Sequence, residues 1–484
     1  MYHKHILIFF LIFLFSCTKT DKVSEEINKI ADDLYAVMLD DRIDLKMKFG
    51  LPITEFPDMD FQTAQMRVER AKTFIQRIDK VDREDINHSD DLTLSMMRQY
   101  LQTIVDGLPH YWNGFSITPY KFGWQGRRMQ QVFLTYQFKS DDDLESYLFL
   151  MDEYAGHLDQ QLEKLKGQDD RGIRLPKPEL PLVMGLLNEY KNSLEATFVP
   201  VSNRLEKFDS QHQETIMSSI REKISTEISP SLANLIEFLY SDYKMRMPED
   251  VGAYQYPGGK DYYNYMIEYH TNSGLTAKEI HEIGLKRVEE LYEEMAQIRG
   301  KLGFEKGQSA FHKKIMNDSY FIAKEPADVE KRYMDYMERI EPRISTLFSS
   351  NPKAPYGVKR LDQALEGAMT FGYYQVPTHN NEIGQYRYNG SDLKNRPMLW
   401  SGPLIYHELA PGHHFQINLN MENESIHKIR KDMNLYNASI TEGWGNYAAF
   451  LAEEIGMLNK PLDQYGWLVF QMFFYNRLVL DTGM

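Results

Sequence analysis

The sequence predicts a mainly α-helical protein with one small β-sheet. Long stretches repeat apolar residues every three and four positions with charged residues between them, the pattern of helices that bury one face. A short region around 371–389 changes texture, becoming aromatic and β-prone with turn residues inside it. No Pro/Gly/Ser-rich linker and no repeat of solenoid period divides the 484 residues, so the chain reads as one multi-lobed unit.

Residues 1–16 carry Lys4 and His5, continue as an apolar run from Ile6 to Phe15, and close on Leu14-Phe15-Ser16-Cys17. That is the pattern of a secretion signal ending at a lipoprotein cleavage box, with a run too short to span a membrane. Cys17 is the only cysteine in the chain and stands where a lipoprotein is cleaved and acylated. The expectation is a bacterial cell-envelope protein anchored by an N-terminal lipid, with no internal disulfide. Residues 17–24 make a polar tether and 25–484 the helical body.

Within the body, amphipathic helices are predicted over Asp141–Leu165, Ile216–Tyr243, Ala277–Leu302 and Val329–Phe348, with Pro230 breaking or kinking the second. Phe371–Pro377 and Gly384–Asn389 are predicted strands. If an edge strand there holds an extended peptide through backbone hydrogen bonds, Tyr386, Arg387, Tyr388 and Asn389 become candidate substrate-binding residues. Strand alternation turns about half of such a set inward. Tyr373 and Tyr374 read as packing residues. A further helix is predicted over Leu435–Glu454.

Hydrophobic residues at 42% and charged residues at 26% suffice for a large core. The formal charge of −15 argues against nucleic acid as a partner and against docking on anionic lipid by charge alone. No Gly-x-Ser-x-Gly elbow or Gly-rich phosphate loop is present, and the single cysteine belongs to the signal, which disfavours serine or cysteine hydrolases.

The chemistry is concentrated in Tyr406-His407-Glu408-Leu409-Ala410-Pro411-Gly412-His413-His414. Zinc hydrolases commonly project two histidines from one helix face, with a glutamate after the first to activate water. Here proline at 411 breaks the simple four-residue spacing. An unbroken helix at about 100° per residue would put His414 roughly 20° from His407 and His413 roughly 120° away. A bulge at Pro411-Gly412 that absorbs two residues favours His413 instead. Both stay candidate zinc ligands. Glu442, on the predicted helix downstream, is the candidate third ligand and Glu408 the candidate general base. His281-Glu282 imitates the motif, but Leu285 stands where a second histidine belongs, so it reads as structural.

These residues resemble the bacterial DUF885 family, whose members carry a His-Glu-x-x-Pro-Gly-His-His signature. The similarity extends to Gly258-Gly259-Lys260-Asp261-Tyr262-Tyr263, His270-Thr271, Glu279–Leu285, Glu442-Gly443-Trp444 and Asp481-Thr482-Gly483, in family order from about Val251 onward. It implies a helical zincin-like fold with its metal-site part at about 365–484, and a metal-dependent hydrolase role for His407, Glu408, His413 or His414, and Glu442. The leading expectation is a zinc metallopeptidase acting on peptides or small proteins. The alternatives are a hydrolase of non-peptide amides or esters and a binding lipoprotein that keeps the shell without catalysis. Family members continue on the order of a hundred residues past Asp-Thr-Gly, in the size range of one large domain, so the resemblance also implies a chain that ends short at Met484.

Overall fold

The structure, a computed structural model, describes residues 3–484 apart from 85, 306, 367, 368, 370, 379 and 380. The side chains of 3–21, 364, 365 and 434–436 lie outside that description as well, and with them the lipidation reading at Cys17. Backbone contacts separate two compact units, Met1–Tyr265 and Met266–Met484.

Every regular element among the described residues of the first unit is a helix. It begins with α1 (His3–Asp41) and is built around α2 (Asp142–Asp170), α3 (Leu180–Phe198), α4 (Ser210–Lys223) and α5 (Ser229–Tyr240). An aromatic cluster sits within its core: Phe133 meets Tyr147, Tyr154 and Phe198 with ring centroids 5.3, 5.9 and 4.6 Å away. The break expected at Pro230 falls between α4 and α5, where Ile224–Ile228 forms a widened π-turn and Pro230 sits in the first turn of α5. Proline has no N–H to donate and its ring crowds the preceding turn, so the extra residue is taken up just before it. Among the described residues no helix is long and apolar enough to cross a membrane.

In the second unit, α6 (Ala277–Lys301) starts with a capping box in which Thr276 and Glu279 satisfy each other's backbone donors. Next comes α7 (Pro326–Leu347), with Pro326 in its first turn, where a missing N–H costs nothing. Three strands follow: β1 (Tyr356–Arg360), β2 (Gly372–Gln375) and β3 (Gly384–Tyr388), in the order β1-β3-β2. β3 is central, parallel to β1 and antiparallel to β2. Behind the sheet run α8 (Ser401–Glu408), α9 (His413–Glu422), α10 (Ala438–Glu454) and α11 (Pro461–Gly483). Every residue of α8 is buried, as expected of a helix enclosed on all sides. Tyr336, Tyr386, Tyr406, Phe415, Trp467 and Phe470 belong to the core that encloses it.

A mainly α architecture with one small sheet is therefore what the chain adopts. The strand β1 had no counterpart in the sequence reading.

Candidate metal centre

The link between α8 and α9 decides the site. α8 stops at Glu408, Ala410-Pro411 is a cis peptide, and α9 restarts at His413. A side chain at Gly412 would collide with the carbonyl oxygens of His407 and Tyr406, so only glycine fits this reversal. Trp444 of α10 clamps it by donating its indole N–H to the Pro411 carbonyl at 2.7 Å. His407, in the last turn of one helix, thereby faces His413, the first residue of the next, with ring centroids 4.6 Å apart and planes at 78°.

Glu442, in the second turn of α10, completes the cluster. Its two oxygens lie 3.4 Å from His407 Nε2 and 3.6 Å from His413 Nε2. One donor atom from each of the three residues falls within 4.8 Å of the others. Ligands at 2.0–2.2 Å in a tetrahedron stand about 3.3–3.5 Å apart, so the two separations from Glu442 suit a shared ion. The Nδ1 atoms of both histidines have no geometric hydrogen-bond partner among the described residues, leaving each ring free to carry its proton there and offer Nε2. Both rings are buried while the Glu442 side chain is 60% exposed, so the cluster opens to solvent on the α10 side.

His414 goes elsewhere. Its Nε2 donates to the Ala354 carbonyl at 3.0 Å and its Nδ1 accepts from the Tyr374 hydroxyl at 2.9 Å. Asn418 supports that arrangement by donating to the Tyr374 oxygen at 2.9 Å. With both nitrogens committed, His414 ties α9 to the sheet and stands outside the three-residue cluster. Of the two histidines left open by the sequence, the chain brings His413 to His407 and Glu442.

Glu408 is buried with its Oε2 unpartnered. Desolvation is the main reason its pKa is pushed up to about 7; His407 opposes the rise, the Glu442 charge adds to it, and a backbone hydrogen bond from Tyr374 opposes it. Burial pulls His407 down, but its hydrogen bond with Glu442 and the two nearby carboxylates outweigh burial and raise it overall. Burial lowers His413 to about 4, with the His407 charge acting the same way and Glu442 against it. For Glu442, burial raises the pKa but the hydrogen bond to His407 and the two imidazoles lower it further, so its carboxylate is ionised.

The sheet corrects the substrate-facing reading of 386–389. β3 is paired on both sides, so it presents no free edge, and its residues alternate strictly between buried and half-buried. Tyr386 and Tyr388 point into the core, Tyr388 donating to the Pro326 carbonyl at 2.9 Å. Asn389 holds the Glu366 carbonyl at 2.7 Å, and Arg387, on the opposite face, binds Gln375 at 2.7 Å. The open edge near the site is β2, whose Tyr374 N–H reaches Glu408. His281, read from the sequence as structural, meets Thr482 Oγ1 through its Nδ1 at 2.9 Å and ties α6 to α11.

Residues 45–484 match the family described as "Bacterial protein of unknown function (DUF885)". The chain belongs to the DUF885 family. No functionally curated protein matches it. Among solved structures, one described as a "putative lipoprotein" from Colwellia psychrerythraea superposes with a TM-score of 0.77 at 19% identity, covering 96% of this chain and 83% of that one. A "putative lipoprotein of unknown function" from Shewanella oneidensis does so with a TM-score of 0.69 at 14% identity, covering 95% and 82%. At these identities the likeness concerns the fold.

Two residues of this DUF885 chain at the cluster escaped the sequence reading. Gly445 and Asn446 follow Glu442 by three and four positions, so all three share one face of α10. A Cβ at Gly445 would lie 2.7 Å from His407 Cε1, which makes the glycine the seat of that ring. Asn446 favours the protonated form of His407, and both Asn446 Oδ1 and His407 Nδ1 lack a hydrogen-bond partner among the described residues. From across the cluster α11 adds Phe470 and Phe474, with ring centroids 6.0 and 6.4 Å from that of His407. The i+3/i+4 rule applied to Glu442 could have found the asparagine.

Proposed function

We propose that this protein is a zinc-dependent hydrolase that cleaves peptide bonds, held at the cell envelope by a lipid on Cys17. The observation that carries the reading is the convergence of His407, His413 and Glu442 beside a buried Glu408 whose Oε2 has no hydrogen-bond partner among the described residues. Two imidazoles and a carboxylate would hold the ion and leave a coordination position open, the pattern of catalytic rather than structural zinc. A bound zinc ion acidifies water and polarises a carbonyl. Glu408, with a pKa near neutrality, can take a proton from water and return it to the departing amine. Phe470 and Phe474 against His407 keep that side of the site dry, which strengthens the electrostatics within it.

A peptide is the favoured substrate because β2 is an open edge beside Glu408. Its pairing with β3 turns the backbone of Tyr373 and Gln375 inward and that of Gly372 and Tyr374 outward, so that beside the Tyr374 N–H held by Glu408 the remaining outward groups can align an extended chain. The lipid anchor is supported by the Cys17 box and by likeness in fold to the two proteins described as lipoproteins. The test is hydrolysis of a peptide library by zinc-loaded protein and by Glu408→Gln. Cleavage lost in the variant while zinc is kept supports the reading. Equal cleavage by both proteins removes Glu408 from the reaction, and cleavage of esters alone would shift the substrate class.

A further inference from the structure

A second feature of the same unit lies close to Glu408 but outside the metal cluster: a cavity of about 440 Å³. Its walls come from the elements that position the cluster. They include Tyr333 of α7, Phe371 at the entrance to β2, Met398 and Trp400 ahead of α8, Leu404 within α8, and Val469 of α11. Ser401, also on its wall, stands seven residues before Glu408, and Leu404 stands four before it, so the three lie along one face of α8. The rise of the helix puts Leu404 about 6 Å along the axis from Glu408. Tyr333 links the two places: it lines the cavity, packs edge-on to Tyr386 at 5.5 Å, and lies within electrostatic reach of Glu408.

Most of the polar groups on the wall are already engaged with the protein. Tyr388 donates to the Pro326 carbonyl, Asn389 to the Glu366 carbonyl, and Ser401 to the Met398 carbonyl at 2.9 Å. Asp392, exposed at the rim, accepts from the Asn395 amide at 2.9 Å, and the Arg396 charge is felt by Glu366. The surface turned toward the occupant is predominantly aromatic and aliphatic. A charged side chain entering it would lose water without finding a partner, whereas an apolar one gains by leaving water.

We infer that this cavity receives a bulky apolar or aromatic side chain of the substrate, next to the bond that is cleaved. The inference rests on the peptidase reading for its context, but the pocket can be tested without turnover. Purified full-length protein is titrated calorimetrically with N-acetyl-phenylalanine amide, N-acetyl-alanine amide and N-acetyl-aspartate amide. Hydrolysis of peptides carrying Phe, Leu, Ala or Asp beside the cleaved bond is measured in parallel. The phenylalanine amide binds at least tenfold tighter than the other two, and kcat/KM for Phe or Leu exceeds that for Ala by about tenfold or more, the range expected from an apolar pocket.

Leu393→Trp, at a half-buried wall position, fills the cavity and removes both preferences while zinc content stays unchanged. Val469→Ala enlarges it and moves the preference toward tryptophan, a second handle should the first variant fold poorly. Equal binding of all three amides, preference for aspartate, or selectivity untouched by Leu393→Trp in folded protein overturns the pocket. Selective amide binding without peptide cleavage keeps the pocket and sinks the peptidase reading. Cleavage without side-chain selectivity does the reverse.

Discussion

Replacing Gly445 by alanine tests whether α10 holds His407 in the geometry of a ligand. The new Cβ would stand 2.7 Å from His407 Cε1 and 2.9 Å from both ring nitrogens. Restoring ordinary carbon contact at about 3.5 Å requires a displacement of about 0.8 Å. α10 has little freedom to supply it, because Ala448, Ala449 and Ala452 on the same helix are fully buried. The imidazole must therefore tilt, taking Nε2 away from Glu442 and His413. Metal sites tolerate deviations of about 0.2 Å in ligand distance. Affinity for zinc should fall at least 10- to 100-fold, as for loss of an orienting partner, alongside a stability cost of about 1–3 kcal/mol from overpacking. Gly443→Ala is the matched control, since its Cβ meets nothing within 4 Å and lies on the exposed face of the same helix. It should leave affinity unchanged and, by helix propensity, add up to about 1 kcal/mol of stability. The assay is zinc competition against a chromogenic chelator, with thermal melts of the metal-free proteins. Affinity within twofold of wild type in Gly445→Ala would refute the reasoning.

Asn446→Ala should weaken zinc by about 10- to 100-fold with little change in the melting temperature of metal-free protein, since it removes the polar group of α10 that can orient the His407 ring once an ion is bound; chelator competition and melts check both. Pro411→Ala with Gly412→Ala should abolish the reversal between α8 and α9 and give protein that no longer binds zinc, seen by elemental analysis, because a side chain at 412 meets the His407 carbonyl. In the first unit, burial lowers His157 from 6.5 to about 4, with Asp58 opposing. The unfolded chain then binds more protons between pH 6.5 and 4, so stability falls with falling pH across that window, by about 3 kcal/mol in full. His157→Gln should flatten that part of the profile measured by urea unfolding at stepped pH. His414→Phe should leave zinc binding nearly intact while lowering the melting temperature, since its bonds to Ala354 and Tyr374 are structural.

What the sequence displays depends on how local the cause is. The start of α6 is written in Thr276 and Glu279, three residues apart, and its length in apolar spacing. β1 was invisible because Tyr356–Arg360 becomes a strand by pairing with Gly384–Tyr388, a partner well away along the chain. The same absence hid the orientation of 386–389: without β1, β3 looks like an edge, and with it Tyr386 and Tyr388 are core. At the site, residue types were legible and geometry was not. Helical angles choose between His413 and His414 only while the helix is continuous, and α8 ends at Glu408. Glu442 could be proposed from chemistry, yet Gly445 was silent, since a glycine that seats a ring from another helix leaves no periodic mark.

The most direct test is zinc per chain, by elemental mass spectrometry on protein purified without chelator and on its His407→Ala, His413→Ala, His414→Ala and Glu408→Gln variants. The cluster predicts about one zinc in the wild type, in His414→Ala and in Glu408→Gln, and little in His407→Ala and His413→Ala. Folded wild-type protein that takes up no zinc when it is supplied, or that loses it with His414 but keeps it without His413, contradicts the account.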